Sequence, residues 1–89
     1  MQETTIEATI LEQCAIVGSS KTICPTDAAK AHSVKRGEAG LAWQHWLAPL
    51  RRAAVALADR GQLVIYRKGK PADPHDFRGV YRLGLPRLD

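Results

Sequence analysis

Arg51 and Arg52 stand side by side in this chain, and Arg67, Lys68, Lys70, His75 and Arg78 follow within a single short stretch that contains only two acids, Asp73 and Asp76. Cations at that density suit a polyanion, because a guanidinium forks onto phosphate or guanine and an ammonium meets phosphate as a point charge. The nucleic-acid-contacting set read from the sequence is therefore Arg51, Arg52, Arg67, Lys68, Lys70 and Arg78. A second kind of chemistry is offered by Cys24, which directly precedes Pro25. A thiol ahead of a helix N-terminus feels the positive end of the macrodipole, the condition for a reactive or redox-sensing cysteine, and Lys21 lies close enough in sequence to assist. Each reading has a plainer rival. Charged loops often serve solubility, an Arg–Asp pair on a helix is often only a solvated face, and a cysteine between two helices is often core, as Cys14 is expected to be.

Other chemistries find less support. Cys14, Cys24, His32, His45 and His75 show no paired metal-ligand spacing, so no metal site is expected. Gly37-Glu38-Ala39-Gly40 lacks the Lys-Ser/Thr of a phosphate-cradling loop, and no nucleophile, base and orienting group stand in a recognisable set. The chain is expected not to be an enzyme and to carry no cofactor. Trp43 and Trp46, at helical spacing, could stack on bases, but tryptophans in a chain with one Phe are expected in the core.

The elements that must position these residues can be read in order. Thr4-Thr5-Ile6-Glu7 offers a Thr-x-x-Glu capping box, and Ile6, Ile10, Leu11, Cys14 and Val17 recur at spacings of three and four, predicting a helix to about Val17. Lys21 to Cys24 reads as a short strand or extended connector, and Pro25 opens a second, Ala-rich helix to about His32. Residues 33–40 are polar and Gly-containing and predict a loop. A third helical face runs from Trp43 to Ala58, with a kink or break expected near residues 47–48 because Pro49 removes a hydrogen bond, and Gly61 supplies the left-handed cap. Gln62 to Arg67 reads as a strand with Leu63 and Ile65 inward, and Gly79 to Leu83 as its antiparallel partner with Tyr81 and Leu83 inward. Residues 68–78, with their two prolines, predict one extended basic loop, too long for a tight turn.

At 89 residues the chain is one domain, with little interior for a buried catalytic cleft. Its composition, 45% apolar and 25% charged, is that of a water-soluble fold, and no apolar run could cross a membrane. The net charge of +4 is uneven: residues 1–40 hold four cations and five acids, and residues 41–89 hold nine cations and four acids. A polyanion would therefore meet the second half. Two cysteines and no signal-like segment after Met1 predict a reduced, cytoplasmic protein.

Helix, short strand, helix, helix, strand, loop, strand is the order of a winged helix-turn-helix, an α+β (mainly α) fold with three helices, a small antiparallel sheet and a long basic wing. Lys21-Thr22-Ile23-Cys24-Pro25, Trp46 to Arg51 with Pro49 between, Leu57-Ala58 before Gly61, Lys68-Gly69-Lys70, Asp73-Pro74 and Arg78-Gly79 before Tyr81-Arg82-Leu83 together give the chain a further likeness. Over about residues 5–83 it resembles the small bacterial proteins grouped as domain of unknown function 3253. The resemblance implies the winged-helix fold and no activity. The expectation is a nucleic-acid-binding module for duplex DNA that uses the third helix and the wing, as a monomer or weak homodimer with no membrane partner. The alternatives are a protein-interaction module that does not bind DNA, docking near Trp43 and Trp46, or a thiol sensor acting through Cys24.

Overall fold

The computed structural model describes residues 5–87, so Thr4 lies outside the described residues. The first helix, α1 (Ile6–Val17), is capped by Thr5, whose Oγ1 accepts the Ala8 N–H at 3.1 Å. Glu7 is not part of this cap. It pairs at 2.6 Å with Arg60, which tethers α1 to the end of the third helix. The expected stripe is present, with Ile10 and Cys14 fully buried and Ile6, Leu11 and Val17 packed around them. Ile23 then makes a single antiparallel bridge, exchanging N–H···O bonds of 2.7 and 2.9 Å with Leu83.

The second helix, α2 (Pro25–Lys35), runs three residues beyond the predicted His32. Ser33, Val34 and Lys35 complete the last turn because Glu38 N–H reaches back to Ser33 O at 3.0 Å and Gly37 N–H to Val34 O at 2.9 Å. These are the paired bonds of a Schellman motif, so the predicted loop begins only at Arg36. Small Ala28 and Ala29 let this helix approach its neighbours, and Lys35 pairs with Glu12 of α1 at 2.6 Å.

Pro49 acts as expected. A short 3-10 helix (Ala42–Trp46) gives way at Leu47 to α3 (Leu47–Asp59), which places the proline in the first turn, where its missing N–H would have had no partner. The other end is closed by Gly61 at φ 75°, with Gln62 N–H donating to Leu57 O and Gly61 N–H to Ala58 O, both at 3.0 Å. A residue with a Cβ would be strained there.

Three strands follow, β1 (Val64–Arg67), β2 (Lys70–Pro71) and β3 (Arg82–Gly84), in the spatial order β2-β1-β3, all antiparallel. The register sets Ile65 opposite Leu83 and Tyr66 opposite Arg82, with Leu63, Ile65 and Leu83 buried as expected. Tyr81 falls outside β3 and is half-buried, edge-on to Phe77 with ring centroids 5.1 Å apart.

The expectation of one long open loop is corrected. The chain reverses tightly at Lys68-Gly69, with φ of 52° and 80°, as a two-residue type I′ turn requires. The return strand is only two residues long, since Pro71 has no N–H for a continuing ladder, and it sits at the sheet edge where proline is tolerated. Residues 72–81 then fold back over α3 and bury Phe77, which falls within the predicted loop. Three helices and a three-stranded antiparallel sheet thus form a compact α+β fold, consistent with a winged-helix-like architecture.

The core holds one polar pair. Thr9 Oγ1 and His32 Nδ1 share a hydrogen bond of 2.9 Å, and the imidazole meets the Trp46 ring edge-to-face at 4.4 Å. Burial, and then the charge of Arg36, lowers the His32 pKa below its usual value of 6.5. At this site the folded state therefore binds fewer protons than the unfolded chain, and the His32 contribution to stability is present in full well above pH 6.5 and is lost as pH falls below it. Urea unfolding between about pH 7 and 5 should show a decline of at most about 1.4 kcal/mol per pH unit from this one proton, absent in His32→Asn. A flat profile for the unmodified chain would rule this out.

Candidate nucleic-acid interface

The outward side of α3 carries Ala48, Arg51, Arg52, Val55, Ala56 and Asp59. Its opposite face, Leu50, Ala53, Ala54 and Leu57, is buried against the sheet and the other helices. The return segment takes part of the outward face. Arg51 is half-buried, its Nη2 donates to Phe77 O at 2.8 Å, and its guanidinium lies 3.9 Å over the Phe77 ring and 5.6 Å from the Tyr81 ring. Asp59 is held by His75 Nε2 at 2.7 Å, and Val55 packs on the core. The structure therefore places Arg51 as a clamp for residues 72–81, and the open part of the helix narrows to Ala48 and Arg52, with Ala56 half-buried beside them.

The residues of the hairpin and the return segment stand differently. Lys68 lies at the hairpin tip, Lys70 on the edge strand and Arg78 in the return segment; all three are exposed. Neither they nor Arg52 have a carboxylate partner among the described residues, where the ion pairs are Lys35–Glu12, Arg36–Glu38, Arg60–Glu7 and His75–Asp59. Arg67 is half-buried, donates to Val80 O and packs on Gly79, where a Cβ would come within 3.2 Å of Nη1. Its partner is a neutral carbonyl, so its charge stays uncompensated. Arg52, Lys68, Lys70 and Arg78 are thus free to meet phosphate, whereas Arg51 is committed to the fold.

Two further cations escaped the sequence reading. Arg82 donates through Nε to Thr22 Oγ1 at 2.6 Å and through Nη2 to Thr22 O at 3.0 Å; Arg87 donates through Nε to Ser19 O at 3.1 Å and lies 5.1 Å over the Tyr66 ring. Arg82 carries one sequence signal, alternation, since it precedes inward Leu83 and so faces the other way; Arg87, outside the strand, carries none.

Cys24 is the N-cap of α2 and makes no side-chain cap bond. It is half-buried in a shallow apolar groove of about 550 Å³ with Pro25, Leu47, Arg51 and Val80, the last 82% exposed. Cys14 is fully buried, and burial pushes its thiol pKa up to about 11. Both tryptophans pack on the core: Lys30 sits 5.0 Å from the Trp43 ring, and Trp46 Nε1–H donates to Glu38 Oε1 at 2.8 Å. That bond and one from the Ser33 hydroxyl hold the Glu38 carboxyl below its ordinary pKa. Among the described residues no three His, Cys, Asp or Glu side chains converge, and no helix is long and apolar enough to cross a membrane.

The model of one protein family, described as "Protein of unknown function (DUF3253)", matches residues 3–86. No curated protein matches the chain.

Proposed function

The chain belongs to the DUF3253 family, whose function is unknown, and we propose that it is a duplex-DNA-binding module that holds phosphate through the wing and one side of α3. The observation that carries this reading is the group of exposed cations without carboxylate partners among the described residues: Arg52, Lys68, Lys70 and Arg78. Four such contacts would position the protein on a duplex without reading bases. The open helix face supports little more, since Ala48 and Ala56 flank a single arginine there. Weak, sequence-tolerant binding is the consequence. With a longest dimension of 37 Å the module would cover about ten base pairs at about 3.4 Å each. Both cysteines are free, which suits a reducing cytoplasm, and we assign the chain no catalysis and no cofactor.

The test is backbone-amide NMR with a duplex of about 20 base pairs at about 50 and 200 mM salt. Shifts on residues 52, 67–70 and 78 that shrink about 10²-fold in apparent affinity at the higher salt are expected, because about four phosphate contacts release that many counterions. Absence of shifts at the lower salt would exclude the reading. A protein-docking role is the second reading, and the exposed Leu47 and Val80 beside the Cys24 groove favour it over one at Trp43 and Trp46.

A further inference from the structure

A separate cavity of about 460 Å³ opens where the hairpin, β3 and the segment before α2 meet. Tyr66, Arg67, Lys68, Tyr81, Arg82 and Arg87 line it, and no carboxylate among the described residues does. Each guanidinium is anchored by neutral oxygens: Arg67 by Val80 O, Arg82 by Thr22 Oγ1 and O, and Arg87 by Ser19 O. Anchoring of this kind fixes the side chain's direction without cancelling its charge, so the entropy of ordering three long side chains is lost before any ligand arrives. Gly79 contributes to this, because its lack of a Cβ gives the Arg67 guanidinium room to lie against the backbone. Three anchored guanidinium groups and the Lys68 ammonium thus line one cavity, and an anion there would meet positive charge from more than one side.

We propose that this cavity is a binding site for a phosphomonoester about the size of a mononucleotide. A phosphomonoester carries close to two negative charges at neutral pH and offers three acceptor oxygens, enough to engage more than one guanidinium fork at once. A single carboxylate would leave most of the positive charge unmatched. Phosphate alone would leave most of the cavity empty, since the volume is that of sites taking small organic ligands. The rest of the wall is Thr22, Tyr66, Gly69, Val80 and Tyr81; Arg87 already covers the Tyr66 ring, so Val80 and Tyr81 are the apolar side on which a flat base would lie. This site does not rest on the duplex reading. It shares Lys68 with it and adds Arg67, Arg82 and Arg87, on which that reading does not rest.

The experiment is calorimetric and NMR titration of the full chain with adenosine 5′-monophosphate at about 50 mM salt, with adenosine and inorganic phosphate as comparisons. Saturable one-to-one binding is expected, with shifts on residues 22, 66–69, 80–82 and 87, at least about tenfold tighter than for inorganic phosphate and absent for adenosine. Lys68→Asn, which suits the left-handed tip, and Arg87→Ala should each weaken binding about fivefold or more. Lys70→Ala and Arg78→Ala should leave it within about twofold, although both should weaken duplex binding. No saturation by about 10 mM nucleotide, adenosine binding as well as the monophosphate, or equal losses in all four variants would each overturn the site.

Discussion

Arg52→Ala, Lys68→Asn and Lys70→Ala combined are expected to reduce duplex affinity by roughly 10²-fold at about 50 mM salt and to flatten the slope of log K against log salt by about 3. Each cation that meets a phosphate releases close to one condensed counterion, so three lost contacts take nearly three from the slope. Asparagine at position 68 is chosen because Lys68 holds φ 52° at the hairpin tip, and Asn adopts that conformation with little strain. All three side chains are exposed and lack acidic partners among the described residues, so the thermal midpoint should stay within a few degrees of the parent's. Fluorescence anisotropy across about 50 to 200 mM salt checks the slope, and an unchanged slope would mean that phosphate is met elsewhere. The same triple variant separates wing from clamp, because Arg51, already bonded to Phe77 O, remains in it.

Leu57→Ala is expected to lower the free energy of unfolding by about 2–5 kcal/mol. Leu57 is fully buried on the inner face of α3, in the same cluster as Ile10, Leu50, Ile65 and Leu83, where the first helix, the third helix and the sheet meet. Alanine itself favours the helix, so the cost is the lost transfer energy and the cavity left among neighbours that relax only in part. Against a total of about 5–15 kcal/mol, such a loss leaves a small domain near its limit. Urea denaturation measures it, with Val34→Ala as the comparison: Val34 is 73% exposed, and its truncation should change stability by no more than about 0.5 kcal/mol. A cost below about 1 kcal/mol at Leu57 would mean that this core is not what holds the three layers together.

Much of the candidate site was legible as composition and little of it as geometry. Lys68, Lys70, Arg78 and Arg52 are exposed as a basic loop and an outward helix position predict. Arg51 looked the same as Arg52 in the sequence, yet one is a clamp and the other is free, because residues 72–81 return across α3 on one side only. That return depends on the tight Lys68-Gly69 turn, which the sequence disguised by using lysine where asparagine or aspartate is the usual signal. Phe77 was hidden for a related reason: between Asp76 and Arg78, among prolines, one aromatic carries no periodicity. The cavity around Arg67, Arg82 and Arg87 joins residues up to sixty-eight positions from their anchors, Ser19 in the case of Arg87. No local pattern encodes such a meeting.

Whatever depends on neighbours a few residues apart can be read from the chain alone. The apolar stripe of α1, the break ahead of Pro49, the left-handed cap at Gly61 and the inward alternation of Leu63 and Ile65 all follow from backbone sterics and hydrophobic spacing. So does the basic excess of the second half. Which of these cations stay open to solvent, which are bound into the fold, and which polar residues meet in the core, as Thr9 and His32 do, depends on how the elements pack. The physical reason is that a hydrogen bond or ion pair acts over a few ångströms of space, and chain separation says almost nothing about that distance once the chain has packed.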